Sequence, residues 1–251
     1  MNLFGDAIAW ILSGDTGRMD SIAVATAQHL AYTAVAVVIA AIIAIPVGWF
    51  IGHTGKGREV AVAVSGAARA IPSFGLLILL TLLLGVLYKP EAAVITFLVL
   101  AIPSLLAGAY TGFEAIDRRV IDAGRSMGMT EWQILWRIEV PLGLPLLVGG
   151  IRSAALQVIA TVTISAYIGL GGLGQYIITG LQTRRVEVII AGALLVAILA
   201  LIVDGLFSIV QHLVVPRGIR AVGAVSPTAR TARQRRAEVS PVSAPASAEA
   251  S

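Results

Sequence analysis

Residues 121–141 read IDAGRSMGMTEWQILWRIEVP and stand apart from everything around them. The stretch carries five charged residues, two tryptophans and three glycine or proline breakers. Its flanks are nearly free of charge. No Asp, Glu, Lys or Arg occurs from Ala92 to Phe113, and after Pro141 the first is Arg152. A run of ~20 apolar residues crosses the hydrocarbon of a bilayer as a helix. The stretch is therefore a polar connection between two membrane spans.

The same alternation continues outward. Ser21–Gly52, Ala70–Tyr88 and Ser153–Thr183 lack Asp, Glu, Lys and Arg, and Val188–Val215 contains only Asp204. Over all 251 residues, 57% are hydrophobic and 13% charged, with a mean hydropathy of +0.90. That charge content is about half the ~25% of a soluble domain. The composition excludes a soluble protein and predicts an integral membrane one. Runs such as LLILLTLLLG (residues 76–85) lack the period-2 alternation of a membrane β-barrel. Helices satisfy their own backbone hydrogen bonds in lipid, so the expected class is all-α. The absence of cysteine excludes disulfides and thiolate metal sites.

Five spans are predicted: Leu30–Ile51, Ile71–Leu87, Ala92–Phe113, Leu142–Ala166 and Val188–Val214. The first can begin near Ile22 as an amphipathic lead-in. With the N-terminus outside, twelve Lys and Arg residues fall on the cytoplasmic side and four on the outer side. The positive-inside rule then predicts N-out and C-in, with residues 121–141 in the cytoplasm. Residues 1–20 show no basic secretory n-region. They read either as a short interfacial helix built on Phe4, Ile8, Trp10, Ile11 and Leu12 or as a polar leader. Residues 21–216 form the transmembrane domain. Residues 217–251 are rich in Ala, Ser, Pro, Val and Arg and read as a disordered basic tail. Their arginines suit anionic lipid headgroups better than nucleic acid.

Within the opening stretch, helix-compatible residues run from Ile116 to Met127, and Gly128 suits the left-handed position after a helix. Thr130 and Gln133 match a capping box, which predicts a second short helix from Glu131 to about Ile138. Pro141 belongs in the first turn of the next span. The exposed apolar surface of Trp132, Ile134, Leu135 and Trp136 has two readings. It is a docking site, or both helices lie on the membrane with the tryptophans at headgroup level.

The pattern Asp122-Ala123-Gly124, three residues, Gly128, nine residues, Ile138, one residue, Val140-Pro141 resembles the EAA motif of ATP-binding cassette (ABC) importer permeases. That motif has Glu-Ala-Ala where this chain has Asp-Ala-Gly, and Leu where it has Val140. The resemblance implies the type I importer permease fold in a multi-pass chain of the cell membrane. It implies that residues 115–138 form coupling helices. Asp122, Ala123, Gly124, Gly128, Trp132, Ile138 and Pro141 would engage a separate ATP-binding subunit. That partner would bind the ATP and Mg, and this chain would carry no cofactor, metal or catalytic residue. The chain lacks a GxxxxGK[ST] loop of its own. A second permease chain, identical or paralogous, and an extracytoplasmic solute-binding protein would complete the machine.

Further resemblance runs from about Gln28 to His212. It includes Arg69-Ala70-Ile71-Pro72-Ser73, Gly149–Ala154 (GGIRSA) and Ile168–Gly174 (IGLGGLG). These are similar to permeases of osmoprotectant importers, which carry glycine betaine, choline, carnitine or proline betaine. Methionine-importer permeases share the five-span plan and remain the nearest alternative. A passive channel or membrane scaffold is the second.

Thr161, Thr163, Ser165 and Tyr167 are candidate pathway lining or interhelical hydrogen-bonders. Phe74, Tyr110, Tyr167 and Tyr176 could hold a quaternary ammonium by cation–π attraction or serve only as packing. Arg152 lies ~16 Å into the fourth span and Asp204 ~15 Å into the fifth, counted from the same side at 1.5 Å per residue. Charges inside spans pair or face a cavity, so Arg152 and Asp204 either form an ion pair tying the fourth and fifth spans or each face water or backbone carbonyls near the pathway. Pro46 and Pro72 can bend their helices, which either suits a transporter that opens alternately to each side or is a kink fixed by packing.

Overall fold

The computed structural model describes residues 3–214. The predicted tail at 217–251 and the end of the transmembrane unit at 216 lie outside the described residues. The described residues are helical throughout, without strands. Four helices are long and apolar enough to span a membrane, and a bent helix pair makes up to five spans.

The chain opens with α1 (Leu3–Ser13), which buries Ala7 and Trp10. Trp10 meets Tyr176 edge-to-face at 5.3 Å. The first span, α2 (Ile22–Thr54), starts at Ser21, whose hydroxyl accepts from Val24 N–H, and ends at Gly55 in the left-handed region. Pro46 lies inside α2, and the helix runs on past it.

The second span differs from the sequence expectation of Ile71–Leu87. It is a pair, α3 (Arg58–Ala70) and α4 (Ser73–Leu84), bent by 84°. Pro72 explains the break. It cannot donate a backbone hydrogen bond and forces Ile71 into extended geometry, with φ −73° and ψ 126°. The connection between α2 and α3 is only residues 55–57, because Arg58 and Glu59 already belong to α3.

The remaining spans are α5 (Lys89–Glu114), α8 (Val140–Ser165) and α10 (Val186–Val214). Between α5 and α8 lie the short helices α6 (Arg118–Ser126) and α7 (Glu131–Ile134). The helix α9 (Gly174–Thr183) lies between α8 and α10.

Small residues let the helices touch backbone to backbone. A Cβ added at Gly108 would come within 2.7 Å of the Gly150 Cα, and one at Gly112 within 2.8 Å of the Gly143 carbonyl oxygen. One at Gly48 would meet the Ala109 Cβ at 2.5 Å. Lipid gives no hydrophobic drive for helix association, so such close van der Waals packing must supply it. α2, α5 and α8 thereby form one core, with Phe97, Leu105 and Val158 fully buried and Leu77 of α4 buried against it.

Candidate functional site

The segment between α5 and α8 is built around three local devices. The Asp117 carboxylate accepts from Arg119 N–H at 2.9 Å and caps α6. Gly128 takes φ +79°, which a residue with a Cβ adopts only with strain. Thr130 and Gln133 exchange both capping-box bonds, Thr130 N–H to Gln133 Oε1 at 2.9 Å and Gln133 N–H to Thr130 Oγ1 at 3.3 Å. Arg125 then bridges the turn with a forked pair to Glu131, Nε to Oε1 at 2.9 Å and Nη2 to Oε2 at 3.1 Å. The hydrogen bond and charge of Glu131 raise the Arg125 pKa further above its ordinary value.

α7 continues into α8 through a π-turn, Leu135–Glu139. Such wide turns recur at functional positions. The sequence expectation of one short α-helix to about Ile138 is thus corrected to one α-helical turn followed by the π-turn.

The motif residues divide into two groups. Asp122, Ala123, Gly128 and Trp132 are exposed, Trp132 by 68%. Gly124 is buried, while Ile138 and Pro141 are partly buried. A Cβ at Gly124 would lie 3.0 Å from Ile138 Cδ1, so these two positions hold α6 against the π-turn. The first group offers a surface, and the second supports it.

Two residues absent from the sequence reading tie this segment to α2. His53 Nδ1 bonds Glu139 Oε2 at 2.5 Å, and its Nε2 lies 3.6 Å from Glu131 Oε2. Trp49 meets Trp136 edge-to-face at 5.6 Å, and Trp136 meets Trp132 at the same distance. These residues flank an open cleft of about 590 Å³. Neither contact has a signal in sequence spacing, since His53 and Glu139 are 86 residues apart.

Inside the spans, Arg152 forms a forked salt bridge to Asp204, Nε to Oδ1 at 2.6 Å and Nη2 to Oδ2 at 2.7 Å. It joins α8 to α10. A second polar group gathers Arg69 of α3, Ser104 of α5 and Gln157 of α8. Arg69 Nη2 donates to Ser104 Oγ at 3.5 Å, and Ser104 donates to Gln157 Oε1 at 3.2 Å.

The candidate lining residues are placed differently from one another. The buried Thr161 and Ser165 hydroxyls donate to carbonyls of their own helix, Gln157 at 2.9 Å and Val162 at 2.7 Å. Thr163 does the same to Ile159 at 3.1 Å. Tyr167 is 59% exposed and meets Phe74 edge-to-face at 5.1 Å. Tyr110 and Tyr176 are buried elsewhere as packing residues. Burial and the nearby Asp20 carboxylate push the Tyr176 phenol up to about 12. It stays a neutral donor to the Asp20 carbonyl at 2.7 Å.

The IGLGGLG loop is held from α2. Gly169, Gly171 and Gly172 all have positive φ. Gln28 Oε1 accepts from Gly172 N–H at 2.9 Å, and His29 Nδ1 accepts from Leu173 N–H at 3.3 Å. The other His29 nitrogen lies 3.0 Å from the Ile159 carbonyl, so Nε2 carries the proton and the ring is neutral. Beside this loop is a polar cleft of about 470 Å³ lined by Asp20, Tyr167 and Gln175 among others.

Long apolar helices with a structured polar segment between α5 and α8 define a multi-pass membrane protein. Residues 44–218 match the family described as binding-protein-dependent transport system inner membrane component, and the chain belongs to it. It is a multi-pass transport component of the inner membrane, not an enzyme, and its family works with an ATP-binding subunit and a substrate-binding protein.

The chain is similar to the glycine betaine/carnitine/choline transport system permease protein OpuCB of Bacillus subtilis, with 34% identity over 80% of this chain and 92% of that one. It is 34% identical to the carnitine transport permease OpuCB of Listeria monocytogenes, over 78% and 89% of the two chains. It is 36% identical to the osmoprotectant import permease OsmW of Salmonella typhimurium, over 78% and 92%. Its fold resembles a chain of the MetNI methionine ABC transporter solved in an inward-facing form, with TM-score 0.66 and 23% identity over 77% of this chain and 95% of that one.

Proposed function

We propose that this chain forms the translocation pathway for quaternary-amine osmoprotectants in an ATP-driven importer. Glycine betaine, carnitine and choline are the solutes in the names of the similar permeases. The methionine alternative rests on fold likeness alone, and a passive channel gives no role to the α6–α7 segment.

The observation that carries the coupling role is the construction of that segment. Gly128, the Thr130 capping box and the Arg125–Glu131 fork fix two short helices that leave Trp132 and Asp122 open. A separate ATPase subunit docks on that surface and holds the ATP and Mg. Its closure moves α6 and α7. His53 and the π-turn pass the movement to α2 and α8. A second permease chain completes the pathway. With the N-terminus outside, the segment faces the cytoplasm, as docking requires.

Co-purification tests the coupling role. The wild-type chain is expected to bring down an ATP-binding subunit, and a Trp132→Ala, Asp122→Arg variant to lose it while still reaching the membrane. Retention of the subunit by that variant would overturn the assignment.

A further inference from the structure

Arg69 is a cation at membrane depth with no carboxylate among the described residues to meet it. Its guanidinium is located by its bond to Ser104 Oγ. Ser104 lies ten residues from Glu114, which pairs with Arg58 at one end of the bundle. At 1.5 Å per residue that is ~15 Å along α5. Lys89, at the other end of α5, is fifteen residues from Ser104, or ~22 Å. An arginine side chain cannot reach either surface from there.

The contrast with Arg152 is direct. Arg152 at similar depth has Asp204 at 2.6 Å. No carboxylate among the described residues pairs with Arg69, and its bond to Ser104 is long at 3.5 Å. Ser104 in turn donates to Gln157, so the Ser104 oxygen stays available as an acceptor for the guanidinium. Arg69 is nevertheless exposed on the surface of the single chain. An exposed, unpaired guanidinium facing lipid is strongly disfavoured. It therefore faces water or a ligand. It lies two residues before the break at Ile71–Pro72, where backbone irregularity at membrane depth also requires a cavity or protein cover.

We propose that Arg69 is a pathway residue that binds the carboxylate of a zwitterionic solute during passage. This rests on the quaternary-amine reading above and narrows it. The guanidinium offers a planar fork that matches a carboxylate, and it repels a solute that is only a cation. The chain would then favour betaine-type solutes, which carry both a quaternary nitrogen and a carboxylate, over choline, which carries the nitrogen with a hydroxyl. Ser104, itself held by its bond to Gln157, positions the side chain by accepting from one edge of the guanidinium.

The test uses the full transporter, with its ATPase and binding-protein partners, reconstituted in liposomes. Initial uptake of labelled glycine betaine and of labelled choline is measured for wild type, R69K and R69Q. Loss of one charge-assisted contact predicts a fall in glycine betaine uptake of about tenfold to a hundredfold in R69Q. Choline uptake is expected to stay level or rise, and R69K to recover part of the glycine betaine rate. Equal losses for both solutes, equal losses in R69K and R69Q, or unchanged glycine betaine uptake in R69Q would overturn the proposal. A wild-type complex that carries neither solute would instead overturn the quaternary-amine reading.

Discussion

At the residue scale, the coupling segment turns on single side chains. Gly128 has open space around it, so a larger residue meets no clash, only the penalty of φ +79°. That penalty is ~1–2 kcal/mol for a residue with a Cβ. Gly128→Val is expected to leave the protein in the membrane and abolish ATP-driven uptake, measured on equal amounts of membrane protein. His53→Ala strands Glu139, which is 5% exposed. Stranding a buried polar group costs ~1–3 kcal/mol, so thermal unfolding in detergent should come earlier. The Arg152–Asp204 fork allows a double-mutant cycle. Arg152→Ala alone leaves a carboxylate within the span, and Arg152→Ala with Asp204→Ala is expected to be the more stable of the two by thermal unfolding.

Legibility differed sharply among these residues. Arg152 and Asp204 could be read as neighbours because a charge inside an apolar run demands a partner and their depths agreed. Gly128 and the Thr130 box were legible because turn and cap chemistry is local. His53, Trp49 and the Gln28–His29 grip on the glycine loop left no trace in spacing. Each joins residues far apart in the chain, and a lone histidine in an apolar helix has many uses. The hydroxyls of Thr161 and Ser165 show the converse. The sequence left them as pathway lining or interhelical hydrogen-bonders, and in the fold each hydroxyl donates to a carbonyl of its own helix.

At the element scale, the spans were legible from charge-free runs, but the shape of the second was not. Pro72 announced a bend, yet the start of α3 at Arg58 was hidden because Arg58 and Glu59 look like loop residues. Their charges suit the membrane surface, and Glu59 suits a helix N-terminus. The glycines at 108, 112, 143 and 150 carry no signal of their own in the apolar runs, while in the fold they are the contact line between α5 and α8. Gly150→Leu should therefore force the two helices apart. Overpacking of this kind costs ~1–3 kcal/mol, expected as a lower unfolding temperature and less folded protein in the membrane. Gly66→Leu on α3, with nothing within 4 Å of its Cβ position in the single chain, serves as the comparison.

At the scale of the whole molecule, this chain is one part of a machine. α6 and α7 are the surface through which an ATPase would drive it, and α2, α5 and α8 are the packed body that the movement must deform. The break at Ile71–Pro72 lies beside that body, between α3 and α4, where the chain can bend without melting a continuous helix. The quaternary-amine reading joins this architecture to the solutes of similar permeases. The most direct test is uptake of labelled glycine betaine into liposomes holding the chain with its ATPase and binding-protein partners, with and without ATP, in the presence of excess unlabelled methionine. The account predicts uptake that requires ATP and is untouched by methionine. Uptake without ATP, or suppression by methionine, would contradict it.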